Sequence, residues 1–154
     1  MTDLRLPDGL PASEIIERII IAKGVPVLCW SPGKWTFRRA KVVESMLNRF
    51  KPGELFLGDT TLRPSFALTP GTFRKFKEHR ILAGSDPLPL SGEERMLGRY
   101  FSLLESPFDT ERPGESVRAA LHRQGEHLGS RCSWAEVISR LGRLYCLRSI
   151  KRLT

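Results

Sequence analysis

Apolar positions in the first two-thirds of the chain alternate between helical spacing and short continuous runs. Ile15, Ile16, Ile19 and Ile20 recur at helical spacing, with Ser13 placed to cap them and Gly24 placed to end the helix. Val25-Pro26-Val27-Leu28-Cys29-Trp30 then reads as a short buried strand, with Pro26 tolerated near its first residue. Ser31-Pro32-Gly33 breaks it, and Thr36 is placed to cap a second helix. That helix carries Phe37, Ala40, Val43, Leu47 and Phe50 as its apolar stripe, with Arg38, Arg39 and Lys41 outside. Lys51-Pro52-Gly53 stops it, and Glu54-Leu55-Phe56-Leu57-Gly58 forms the next strand, ending at Asp59. Thr69-Pro70 starts a third helix with Phe73 and Phe76 on one side. Arg80-Ile81-Leu82-Ala83-Gly84 forms a third strand, ending at Ser85-Asp86. The strands recur every 26 to 29 residues, the length of one βα unit. Repeated βα units predict a parallel sheet with right-handed crossovers.

Beyond Pro87 the pattern is looser. Ser91 and Glu94 have the spacing of a capping box, and so do Ser133 and Glu136. Tyr100-Phe101-Ser102-Leu103-Leu104 fits a helix or a fourth strand equally well. A helix is expected around residues 115–124, and another from Ser133 to about Lys151. The last helix directs Val137, Leu141 and Leu144, and Leu147 at its margin, toward a core. Arg140, Arg143, Arg148 and Lys151 are expected largely off that stripe. The expected organisation is one α/β domain over residues 1–154, with a βα-repeat core over 1–105 and a helical extension over 106–154.

Composition narrows the function classes. At 154 residues with 40% hydrophobic and 27% charged content, the chain is globular rather than disordered in character. No apolar run approaches the roughly 18–20 residues of a membrane span. The first residues lack a basic-then-apolar leader pattern. Three widely spaced cysteines, Cys29, Cys132 and Cys146, suit neither a disulfide framework nor a paired-cysteine zinc site. A cytoplasmic location is therefore expected. The net charge is +8, and residues 111–154 hold nine basic against four acidic side chains. That stretch either steers polyanions toward the protein or is a solvated helix face.

In parallel α/β sheets, ligands bind beyond the carboxyl ends of the strands. Three loops qualify, at 31–36, 59–64 and 85–90. Asp59 and Asp86 are placed there to bind a metal ion or act as a base, or else to cap their own turns. Between the first strand and second helix, Gly33, Lys34 and Thr36 suit a phosphate or carboxylate through helix-start N–H groups and the ammonium. A nucleotide P-loop is not formed, because Trp35 follows the lysine where Ser or Thr is required. His79 is expected to be structural, His122 and His127 to lie at the surface, and Cys29 to sit in the core.

Leu82-Ala83-Gly84-Ser85-Asp86 resembles a late strand of the PHP (polymerase and histidinol phosphatase) phosphoesterases. The order around it is similar: a strand ending in Cys29-Trp30-Ser31-Pro32, one ending in Gly58-Asp59, then this one. The resemblance covers roughly residues 13–105 and the later part of that family's distorted TIM-like barrel. It implies a phosphate-ester hydrolase with divalent ions such as Mn²⁺ or Zn²⁺, in which Asp86 is a metal ligand, Asp59 lies near an acidic ligand, and Ser85 adjoins the site. This sequence departs from the pattern at Leu88 and Ser31, where histidines are expected, and has no early His-x-His strand. Loss of imidazole ligands implies a degenerate site that has given up its metal. The chain then reads as a partial or degenerate barrel, either a later segment or a diverged relative. Its open sheet edge would be covered by a partner or second copy. The ligand expected is a phosphate-bearing small molecule. The alternatives are an interaction scaffold, or a nucleic-acid-binding module using Arg140, Arg143, Arg148, Lys151 and Arg152, with Arg131 nearby.

Overall fold

A computed structural model describes residues 5–31, 33, 35–123 and 125–153, with side chains as far as Ser149. Three parallel strands form the sheet, in spatial order β1-β2-β3: β1 (Val27–Cys29), β2 (Phe56–Thr60) and β3 (Ile81–Gly84). Leu28 lies opposite Leu57, and Leu57 opposite Ile81, so one register runs across all three. The connections are helical: α1 (Ala12–Ile21) precedes β1, α2 (Phe37–Arg49) links β1 to β2, and α3 (Gly71–Lys75) precedes β3. The βα spacing therefore produces the parallel sheet expected of it. Three strands do not close a barrel, and the described residues form a small α/β fold.

All three helices feed one core. Ile16 of α1, Met46 and Leu47 of α2 and Phe73 of α3 pack with Leu57, Phe50 and Phe76, and Val43 and Trp35 border them. Phe37 does not join its expected stripe. It stands 92% exposed at the helix start, with a left-handed φ of 52°. The helix starts also differ in detail from expectation. Pro11 rather than Ser13 occupies the cap of α1, and the Thr36 hydroxyl turns back to the carbonyl of Gly33.

The remaining chain closes the sheet sideways. β4 (Tyr100–Leu103) resolves the helix-or-strand ambiguity in favour of a strand. It pairs antiparallel with β5 (Glu126–Gly129), which follows α4 (Pro113–Leu121). The helical extension expected over 106–154 thus contains a strand, because Glu126-His127-Leu128-Gly129 is recruited by β4 despite lacking an apolar alternation. At Gly129 φ is +81°, and a Cβ there would collide with the carbonyl oxygen of Arg99. Only glycine fits this position. The ribbon meets β3 through side chains rather than a ladder. Ser102 Oγ accepts the Ala83 N–H at 2.8 Å, and His127 Nε2 lies 3.0 Å from the Ile81 carbonyl.

At the other edge, the Trp35 indole donates to the Cys29 carbonyl at 3.1 Å, next to a three-residue strand preceded by Pro26. Shortness, proline and a blocked carbonyl are features that discourage strand addition. Cys29 is exposed here rather than buried in the core.

α5 (Trp134–Leu153) lies across the carboxyl ends of the strands. Its expected capping box is formed: Ser133 N–H donates to Glu136 at 2.7 Å, and Glu136 N–H donates to Ser133 Oγ at 3.3 Å. The Ser91–Glu94 box is not. Gly92 precedes a 3₁₀ turn over Glu93–Met96, and Glu93 rather than Glu94 turns inward. No helix among the described residues is long and apolar enough to cross a membrane.

Candidate functional site

The carboxyl ends of β1–β3 hold two buried ion pairs. Asp59, at 3% exposure, receives Arg63 Nε at 2.7 Å and Nη2 at 2.5 Å. Tyr100 OH donates to the same carboxylate at 3.1 Å. The pairing is local in sequence, since Arg63 lies four residues beyond Asp59 on the turn that leaves β2. Burial, followed by the neighbouring Asp59 charge, pushes the Tyr100 phenol up to about 12.

The second pair joins distant elements. Arg140 of α5 is buried against Glu93, with Nη2 donating at 2.6 Å and Nε at 3.0 Å. Its Nη1 donates to Thr61 Oγ1 at 2.9 Å, and its Nη2 also to the Asp86 carbonyl at 3.1 Å. The Thr61 hydroxyl donates in turn to the Ser85 carbonyl. One guanidinium thereby ties α5 to the exits of β2 and β3. Burial alone would raise the Glu93 carboxyl, but Arg140 and the Leu88 amide hold it below its usual range. The expectation that Arg140 lies off the core stripe is therefore corrected: it is a buried, ion-paired residue. Helical spacing could not reveal this, because the carboxylate that admits the charge lies 47 positions earlier.

Beside these pairs an open cleft of about 300 Å³ remains. Its walls include Ser31 after β1, Leu62 after β2 and Asp86 after β3, with Arg39 from α2 and Tyr145 and Arg148 from α5. Asp86 has a left-handed φ of 46°. Among the described residues its carboxylate has no hydrogen-bond partner, and neither Arg39 nor Arg148 is paired with a carboxylate. Ser31 is buried, while the two arginines are exposed.

The two aspartates expected to act together are thus separated in role. Asp59 is consumed by Arg63 and Tyr100, whereas Asp86 lines the cleft. Ser85 does not line it; its hydroxyl donates to the Tyr100 carbonyl at 3.3 Å. Gly33 and Thr36 are exposed beside it in sequence, and Lys34 lies outside the described residues. Arg143 donates to the Ser91 carbonyl at 2.8 Å, and the side chains of Lys151 and Arg152 lie outside those described. Sequence reasoning missed Arg39 and Tyr145. Arg39 was legible only as a polar-face residue, although it lies in the first turn of the helix that follows a strand-end loop.

These residues do not suit a divalent ion. Arg63 and Tyr100 occupy both Asp59 oxygens, and no group of three or more His, Cys, Asp or Glu side chains is placed to hold a metal among the described residues. Compared with known proteins, the chain matches no family model, no curated protein and no solved structure at a significant level.

Proposed function

We propose that the protein is a non-catalytic α/β ligand-binding domain of PHP-like plan that takes a phosphate-bearing small molecule at the strand ends. The observation that carries this reading is the pair of arginines without carboxylate partners, Arg39 and Arg148, on opposite helices flanking one cleft. Guanidinium groups hold phosphate through paired, charge-assisted hydrogen bonds. The Ser31 hydroxyl adds a polar wall, and Asp86 supplies an acceptor for a ligand hydroxyl. An Asp beside a phosphate repels it, so the phosphate belongs toward the arginines and the hydroxylated part toward Asp86. Hydrolysis is not part of the proposal, because Asp59 is locked in an ion pair and offers neither a metal ligand nor a base.

A thermal-shift titration with inorganic phosphate and ribose 5-phosphate tests it. A ligand bound only by the folded protein raises Tm by mass action. The expected result is a saturable rise with both, larger for the sugar phosphate, and lost in Arg39→Ala and Arg148→Ala. Asp86→Asn is expected to reduce the advantage of the sugar phosphate while leaving inorganic phosphate unaffected. A shift equal in wild type and both arginine variants would contradict the reading. The nucleic-acid reading loses Arg140 to the core and has Arg143 engaged with a backbone carbonyl. No observation favours it over the cleft.

A further inference from the structure

A second cleft, of about 450 Å³, opens at the amino ends of the strands. Its walls combine Phe56 at the start of β2, Arg80 just before β3, Lys77 and Glu78, and Leu121 and His122 at the end of α4. It shares no residue with the cleft at the carboxyl ends.

Arg80 is the unusual member. It is half-buried, and its guanidinium makes a single hydrogen bond, from Nη1 to the Leu121 carbonyl at 2.8 Å. No carboxylate pairs with it among the described residues. The more deeply buried arginines, Arg63 and Arg140, each have a carboxylate in contact, whereas Arg118 and Arg131, half-buried like Arg80, also bond only backbone carbonyls. A guanidinium drawn out of water without a counter-charge is costly, and burial lowers its pKa accordingly. An anion in the cleft would offset that cost with the donors that Leu121 leaves unused. Lys77 adds a second cation, also without a carboxylate partner among the described residues.

The remaining wall is apolar and aromatic. His122 stands edge-on to Phe56, with ring centroids 5.6 Å apart and planes at 66°, and Leu121 adjoins it. Glu78 brings one acidic group, so the wall carries two cations against one anion before any charge on His122. We propose that this cleft binds a small molecule in which a carboxylate or phosphate is attached to a flat apolar ring. The anion sits on Arg80 and Lys77, and the ring lies against His122 and Leu121.

The test follows the ring-proton NMR signals of the three histidines in this 154-residue chain, with the His122 signal identified by its loss in His122→Gln. Benzoate and phenyl phosphate are titrated separately, which distinguishes the two anions, with benzyl alcohol as the uncharged control. The expected result is a saturable shift of the His122 signal with at least one anion and none with the alcohol. Removing a charge-assisted contact through Arg80→Gln should weaken binding about ten-fold or more. Lys77→Ala, an exposed change that leaves the Leu121 contact intact, should weaken it about three-fold or more. Arg148→Ala should leave it unchanged, which separates this site from the other cleft. An unmoved His122 signal, or equal affinity in wild type and Lys77→Ala, would overturn the proposal.

Discussion

His79 shows how much one buried side chain settles. At 1% exposure, its Nδ1 lies 3.0 Å from the Leu55 carbonyl and its Nε2 lies 3.1 Å from the Leu47 carbonyl. A neutral imidazole carries one N–H, so the tautomer decides whether the ring donates to the last turn of α2 or to the approach to β2. Its sequence position at a helix end suggested a structural role, but not that it reaches two other elements. His79→Leu should cost about 1–3 kcal/mol, measured by urea unfolding. Tyr100 permits a pH test at the same scale. Its phenol, raised to about 12, favours the neutral form in the folded state. The associated stability is complete below pH 10, the ordinary tyrosine value. It is lost as pH rises from there through about 12. Tyr100→Phe should remove that part of the alkaline decline while leaving the acid side unchanged, as read by denaturation at several pH values.

At the scale of elements, the sequence was informative where a signal is local and silent where the partner is distant. Ser133 and Glu136 lie three residues apart, and the capping box they predict is formed. Arg99 completes it with two hydrogen bonds to Glu136, at 2.6 and 3.0 Å. Those bonds, with help from the Ser133 backbone, hold the Glu136 carboxyl near 2. The folded value is depressed, so the stabilisation is present above the ordinary value near 4.5 and lost as pH falls toward 2. Glu136→Gln should reduce stability at pH 7 and narrow the gap to wild type below pH 3. Partial exposure of both partners keeps the effect modest and sensitive to salt. β5 was hidden because its pairing with β4, not its own pattern, makes it a strand. Gly129→Ala should disrupt that ribbon, because φ is positive and the Arg99 carbonyl fills the space a methyl group needs.

Across the whole molecule, Arg140 joins what the βα pattern leaves separate. Through Glu93, Thr61 and Asp86 it binds α5 to the sheet exits. Removing one partner of a buried ion pair strands the other, so Arg140→Met should cost about 3–5 kcal/mol, and Glu93→Leu combined with it should recover much of the loss. Equilibrium unfolding of the single and double variants measures both. The parallel core was legible because three strands share one spacing, and the strand ends were where function was expected. Which groups remain available there was not legible. Arg63 takes Asp59 and Glu93 takes Arg140, leaving Arg39, Arg148, Ser31 and Asp86 around the cleft. Direct titration calorimetry of ribose 5-phosphate into wild type and the Arg39→Ala/Arg148→Ala double variant tests that account most directly. The account predicts saturable one-to-one binding to wild type, weakened at least about a hundred-fold in the double variant. No binding to wild type, or equal binding to both proteins, would contradict it.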